Sequence, residues 1–382
     1  MITQPIKTVS VFSAYYPSHG GGMELTTLDL VSALLSFGVN VEWAAQADGE
    51  HLQELDGKCT PLPGTDIIYA LTGVPMPLPM PWVVTEILRI VKRSAVVVII
   101  EANFVLSIAA YMAARINHKS ILLVQHVGKP STLSHLARLV MVIGERIAVR
   151  PMIRGADAVV YVSPVVADYF FGERPGDDGV IIGHGIDMAQ FYFNGTPEEQ
   201  IKDRVALGLA NYSNLACFVG RLTESKGIAV VREMARLRPE WTFVVAGKGP
   251  VDPARWDLPN VIILGQTKRD DVARLYRASD VTVLPSQSES FSLVVREAMA
   301  SGSRVLCSRQ ILETDAGLAP YIVTETVELT DVVGTSARFA AALDRQPSAS
   351  RQEARDYVAC RYSRETVKKL YGKIIAKLIS PK

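Results

Sequence analysis

The sequence predicts an α/β protein built from two doubly wound parallel sheets, and three observations predict it. Apolar runs of strand length, among them Ala95 to Ile100, Leu215 to Gly220 and Asp280 to Pro285, recur along the chain with helix-forming stretches between them. Continuous apolar runs suit strands buried on both faces, and their alternation with helices is the pattern of a parallel sheet. Charged and glycine-bearing loops follow several of the runs, at the carboxyl ends where open sheets bind ligands. The 382 residues exceed what one hydrophobic core ordinarily supports, so two domains are expected.

The first elements are a strand from Lys7 to Ser13, an amphipathic helix from Met23 to Phe37 stopped by Gly38, and a strand from Val39 to Ala45. The glycine loop Gly20-Gly21-Gly22 opens like a dinucleotide fingerprint but places Leu25 where the third glycine belongs. Glu42 stands at a tolerable distance for a ribose acid, which keeps a nicotinamide-dependent enzyme as a minor alternative. Pro75 to Pro81, with prolines alternating with apolar residues, is expected to be a stiff surface loop. Ser94 to Met112 has the length of a membrane span, yet Glu101 and Asn103 occupy its middle, and a charge there costs about 3 kcal/mol. A strand to Ile100 followed by a helix from Phe104 to Ile116 explains the stretch better. His126 ends the next strand, Ser120 to Val127. The segment from Ser131 to Arg154 reads as a helix with His135, Arg138, Glu145, Arg146 and Arg150 on one side and Leu133, Leu136, Val140, Ile143 and Ile147 on the other.

In the second half, Leu215 to Gly220 is a strand followed by Arg221 and Lys226. Two cations at one strand mouth can reach one diphosphate, the arginine as a planar fork and the lysine as a point charge. Trp241 to Ala246 leads into a tight turn at Gly247 and Gly249. Val261 to Gly265 is a strand, and Arg269 to Tyr276 a helix. After Asp280 to Pro285 come Glu289, on a loop, and Glu297, in the helix that begins near Ser292. The first backbone N–H groups of that helix favour an anion, so a sugar nucleotide fits the place, its diphosphate on the helix terminus and carboxylates accepting from hydroxyls.

These motifs together resemble the retaining GT-B glycosyltransferases, the large group 1 family that includes sucrose synthase-like and mannosyltransferase enzymes. The resemblance rests on Gly220-Arg221 to Lys226-Gly227, Ala246 to Pro250, Leu275 to Pro285, the Glu289 and Glu297 pair, Ala156 to Ser163, Val180 to Asp187 with Phe191, and Ser13 to Glu24. It implies two Rossmann-like domains facing a cleft. The expected boundaries are 1–180, an acceptor-side domain completed by the terminal helix 364–382, and 181–363, which binds the nucleotide sugar. It also implies site roles. Arg221 and Lys226 would neutralise the leaving diphosphate with backbone N–H groups from Ser290, Phe291, Ser292 and Leu293; Glu297 would hold the ribose; Glu289 would meet the transferred sugar. His126 would hydrogen-bond the sugar or acceptor, His184 would order the crossover, and Gly21, Gly22, Gly220 and Gly247 would let backbone close on the donor. The chain departs from the family at Ser292, where glycine is usual, and at Ser308 to Gly317, which lacks the usual paired glycines before an acid.

No Asp-x-Asp triplet occurs, and no metal or other cofactor is expected, the nucleotide diphosphate sugar being a substrate. A formal net charge of +1 argues against bulk binding to nucleic acid. Cys59, Cys217, Cys307 and Cys360 show no metal or disulfide spacing. The polar first segment leads to the expectation of a cytoplasmic protein. If the acceptor is a lipid-linked glycan, the basic face at Arg138, Arg146 and Arg150 would place it peripherally on the inner face of an anionic membrane. The alternative from another class is a noncatalytic sugar-nucleotide-binding subunit of the same fold.

Overall fold

The structure, a computed structural model, describes residues 7–16, 22–46, 58–68, 76–128, 141–174 and 179–379. The chain divides into two compact units, 1–185 with 365–382, and 186–364.

The first unit contains β1 (Thr8–Tyr15), β2 (Asn40–Gln46), β3 (Lys58–Leu62), β4 (Gly64–Thr65), β5 (Leu78–Pro79), β6 (Val96–Ile100), β7 (Ser120–Gln125), β8 (Ala158–Tyr161) and β9 (Val180–Ile181). Seven of them form one sheet in the order β3-β2-β1-β6-β7-β8-β9, every neighbouring pair parallel. The order reverses between β1 and β6, and a ligand crevice in such a sheet lies beyond the carboxyl ends at that reversal. Val96 to Ile99 are wholly buried, as a strand covered on both faces requires. One face packs on the helix Gly22–Ser36 through Leu30, Val31 and Leu34, and on the terminal helix Arg364–Ile379 through Val367, Tyr371 and Ile375. That last helix is fixed at its end by Lys7, whose Nζ donates to the Ile379 carbonyl at 2.6 Å. The proline-rich stretch contributes β5, which pairs antiparallel with β4 as an isolated ribbon; Pro75 lies outside the described residues.

Two expectations fail against this fold. Glu42 lies within β2, 2% exposed, where its carboxylate accepts from Arg93 and from Thr60 at 2.8 Å, and so it does not stand at the strand end as a ribose acid would. The helix read over Ser131 to Arg154 has a five-residue π turn at Glu145–Val149 before its last part, Arg150–Gly155. Pro151 has no N–H and would crowd the carbonyl four residues back, so the turn widens. One extra residue rotates everything after it by about 100°. Arg150 consequently turns inward to Glu145 at 2.6 Å and to Glu173, over the rings of Tyr169 and Phe170, while Ile147 is 71% exposed and Val142 and Ile143 are exposed with it. Leu133, His135, Leu136, Arg138 and Val140 lie outside the described residues.

The second unit contains β10 (Leu215–Val219), β11 (Thr242–Ala246), β12 (Val261–Gly265), β13 (Val281–Leu284), β14 (Arg304–Ser308) and β15 (Val323–Glu325). They form a parallel sheet in the order β12-β11-β10-β13-β14-β15, which reverses between β10 and β13. Cys217 and Cys307 lie buried inside β10 and β14 as small hydrophobes. The loops carrying Arg221, Lys226 and Glu289 leave from the two strands at the reversal.

Candidate functional site

In the second unit, backbone contacts that tolerate no side chain shape the site. Gly227 ends the turn Glu224–Lys226 at φ +75°, and a Cβ there would lie 2.0 Å from the Pro285 carbonyl oxygen. Only glycine permits that approach. The approach brings the loop after β10 against the loop after β13, where the Gln287 N–H donates to the Ser225 carbonyl at 2.9 Å. Gly247, after β11, faces Gly220 in the same way, a Cβ falling 1.8 Å from the Gly220 oxygen.

This closeness sets Lys226 on Glu289, Nζ to Oε1 at 2.6 Å, with the side chains 23% and 10% exposed. The expected cation and the expected sugar-contacting carboxylate are thus partners, though 63 residues apart. Arg221, one residue past Gly220, is exposed. Glu297 is 6% exposed and accepts from Arg269 Nη2 at 2.7 Å, and the Arg269 guanidinium lies 5.1 Å from the centre of the Phe191 ring. Burial, then the Glu297 charge, holds the Tyr276 phenol well above its ordinary range.

Ser292 caps the helix Leu293–Ala300 at φ +60°, so the serine keeps the backbone that glycine would favour. Arg296, fully buried, explains how. Its Nη1 donates to the Phe291 carbonyl and to the Ser292 carbonyl at 3.2 Å, and its Nη2 to Thr314 Oγ1 at 3.3 Å. Its guanidinium lies 3.7 Å from the Phe291 ring centre and 4.7 Å from that of Tyr362. Behind it, Asp315 accepts from the hydroxyls of Tyr357 and Tyr362 at 2.6 Å each. Burial raises the Asp315 carboxyl, but those two hydroxyls, the Gly317 N–H and the Arg296 charge outweigh it and leave the group below its ordinary value. Sequence reasoning missed Arg296; its signal is an arginine set between Val295 and Ala298 in an otherwise buried helix.

In the first unit, His126 follows β7, is 7% exposed, and stacks on His184 with ring centres 5.1 Å apart and planes at 13°. His184, expected to order the crossover, supplies the ring that faces His126. Burial pushes His126 down to about 4, against a smaller opposing effect of the Val124 carbonyl, so its imidazole is neutral at pH 7. A cavity of about 20 Å³, the size of one water, lies beside the pair and is lined by Thr27 and Tyr371 among others. Glu101, read from the sequence only as a charge that forbids a membrane span, sits one strand over from His126. It is 1% exposed with φ +63° and accepts from the His126 and Val127 N–H groups at 2.9 Å each. Burial raises it to about 7 although those two amides and the side chains of Gln125 and Asn103 all favour its ionised form. Gly22 opens the first helix and is exposed; Gly21 lies outside the described residues. No group of three metal-ligating side chains occurs among the described residues, and no helix among them is long and apolar enough to cross a membrane.

Both units have counterparts among known proteins. Residues 213–345 match the family model described as "Glycosyl transferases group 1", and residues 20–190 that described as "Glycosyltransferase Family 4". Over 144 residues the chain is 35% identical to an uncharacterized glycosyltransferase of Methanocaldococcus jannaschii, covering 35% of this chain and 37% of that protein. A D-inositol 3-phosphate glycosyltransferase of Mycolicibacterium gilvum is 33% identical over 141 residues, covering 34% and 31%. A putative teichuronic acid biosynthesis glycosyltransferase of Bacillus subtilis is 34% identical over 134 residues, covering 35% and 34%. The chain thus matches about a third of the length of each of these curated relatives. Among solved structures, Anabaena HepE in complex with UDP superposes with a TM-score of 0.72 at 17% identity, covering 97% of this chain and 100% of that one. Sucrose-phosphate synthase from Thermosynechococcus elongatus gives 0.74 at 17% identity, covering 97% and 99%. At such identities these two show the fold alone.

Proposed function

The chain belongs to the group 1 glycosyltransferases of the GT-B fold, with two Rossmann-like domains, and we propose that it moves a hexosyl unit from a nucleotide diphosphate sugar to an acceptor hydroxyl with retention of configuration. The observation that carries this reading is the Lys226–Glu289 pair at the sheet reversal of the second unit, beside the N-terminus of the helix Leu293–Ala300. An ammonium group has three N–H donors. With one on Glu289, two remain for phosphate oxygens, so one contact can align the leaving diphosphate and the carboxylate that meets the sugar hydroxyls. Arg221 and the N–H groups of Ser290 to Leu293 complete the anion site, and stabilising developing charge is commonly the largest catalytic contribution. Glu297, steadied by Arg269, has acceptor capacity for ribose hydroxyls. The neutral His126 donates to the sugar or acceptor.

Support for a nucleotide-sugar donor comes from Anabaena HepE, which was solved with UDP and with UDP-glucose. The reaction is proposed to need no metal, because cations and a helix terminus take the place of one at the diphosphate. Turnover should survive chelator; loss restored by manganese would contradict this. The acceptor is proposed to be a glycan or lipid-linked glycan of cell-surface polysaccharide or glycolipid synthesis, on the cytoplasmic side and at an anionic membrane surface. With Arg150 turned inward, the membrane-facing stretch is proposed to be Val142, Ile143, Arg146 and Ile147, which are exposed.

Replacing Arg221 or Lys226 with Ala tests the proposal. Each should lower the transfer rate by about 2 to 4 kcal/mol of transition-state stabilisation. Rates within a few-fold of the parent would remove these residues from the site.

A further inference from the structure

We propose that Glu101 is a positioning residue that sets the direction of His126, an inference that rests on the proposed contact of His126 with the sugar or acceptor. Glu101 stands just past β6, where the sheet of the first unit reverses, and its backbone takes a left-handed conformation that a residue with a Cβ seldom adopts. Its Oε2 accepts from two successive backbone N–H groups, those of His126 and Val127, both at 2.9 Å. Its Oε1 accepts from Gln125 Nε2 at 2.5 Å and from Asn103 Nδ2. Gln125 is held in turn: its Oε1 accepts the Ala102 N–H at 3.1 Å, and its Nε2 also donates to the Val127 carbonyl at 2.9 Å.

All four groups on Glu101 are donors, so the carboxylate that it becomes as pH rises through about 7, a form that only accepts, takes all four. An amide of the same shape would set N–H against N–H. Two consecutive amides pinned on one oxygen fix the backbone of His126 as the chain leaves β7, and so fix how its ring lies on His184. Packing alone would call for neither a buried charge nor a left-handed glutamate.

The test combines Glu101→Gln, His126→Ala and the double variant. Glu101→Gln should lower kcat about 10- to 100-fold, the effect of a small misplacement of a reacting group, while affinity for UDP and GDP stays within about two-fold of the parent. The double variant should be no slower than His126→Ala, because Glu101 acts through the histidine. The imidazole signal of His126 in a carbon–proton correlation spectrum should move in Glu101→Gln. A parental kcat with an unmoved signal, or losses that multiply in the double variant, would overturn the proposal. If His126→Ala itself turns over like the parent, the contact proposed for His126 fails, and the imidazole signal alone then decides whether Glu101 positions it. Should Glu101→Gln not fold, Asn103→Ala removes one donor at a half-buried side chain and should move the same signal by less; an unmoved signal there also overturns the idea.

Discussion

Ser292 shows how a residue with a side chain can be held in a backbone conformation that glycine would favour. Its left-handed conformation costs an L-residue about 1 to 2 kcal/mol, and the buried Arg296 holds it there by gripping the Phe291 and Ser292 carbonyls, one on either side of the Ser292 Cα. Ser292→Gly should therefore stabilise the fold by about 1 kcal/mol in urea unfolding; a loss of stability would mean that the hydroxyl contributes more than the strain removes. His126 and Glu101 make a second prediction at this scale, because their titrations oppose each other. His126 sits near 4 against an ordinary 6.5, so as pH falls from 6.5 the unfolded chain takes a proton the fold refuses, and stability drops. Glu101 sits near 7 against an ordinary 4.5, so as pH rises from 4.5 the unfolded chain loses a proton the fold keeps, and stability drops again. The groups facing Glu101 are two amide side chains and two backbone N–H groups, and the ring facing His126 is His184. Between pH 4.5 and 6.5 the two contributions cancel in part. Glu101→Gln should steepen the gain in stability with rising pH relative to the parent, and His126→Gln should reverse it, both read from urea midpoints. Parallel curves for parent and variants would refute the assignment.

Among elements, the contrast lies between strands and the helix that ends at Gly155. Strands such as β6 and β10 were legible because a strand buried on both faces is a continuous apolar run, and nothing else of that length competes. The helix face was not legible, because a 100° periodicity assumes an unbroken helix and a single wide turn at Pro151 rotates everything after it. Arg150→Ala should therefore cost about 1 to 3 kcal/mol, since it strips partners from Glu145 and Glu173, which are 13% and 9% exposed. Arg146→Ala, at an exposed position, should stay within about 0.5 kcal/mol. Equal losses in thermal unfolding would mean that the wide turn does not set Arg150 inward and Arg146 outward.

For the molecule as a whole, the two sheets with helices on them followed from alternation and length, but the strand orders did not, because nothing local says which neighbour a strand chooses. The candidate site was legible in the same uneven way. Residue types at strand ends pointed to Arg221, Lys226, Glu289 and Glu297, whereas Lys226 resting on Glu289 and Arg269 on Glu297, partners 63 and 28 residues apart, depend on the assembled sheet. Glu101 was hidden for the same reason: it is one strand away from the histidine it holds. The sheet reversal of the second unit is proposed to bind a nucleotide diphosphate sugar, and that binding to lead to transfer. The direct measurement is a donor panel, in which uridine, guanosine and adenosine diphosphate sugars are offered with glycan and lipid-linked acceptors, and both free nucleotide diphosphate and glycosylated product are quantified. One donor class should yield the two in equal amounts. Tight binding of a donor with no transfer to any acceptor would contradict it and identify the chain as a noncatalytic sugar-nucleotide-binding subunit.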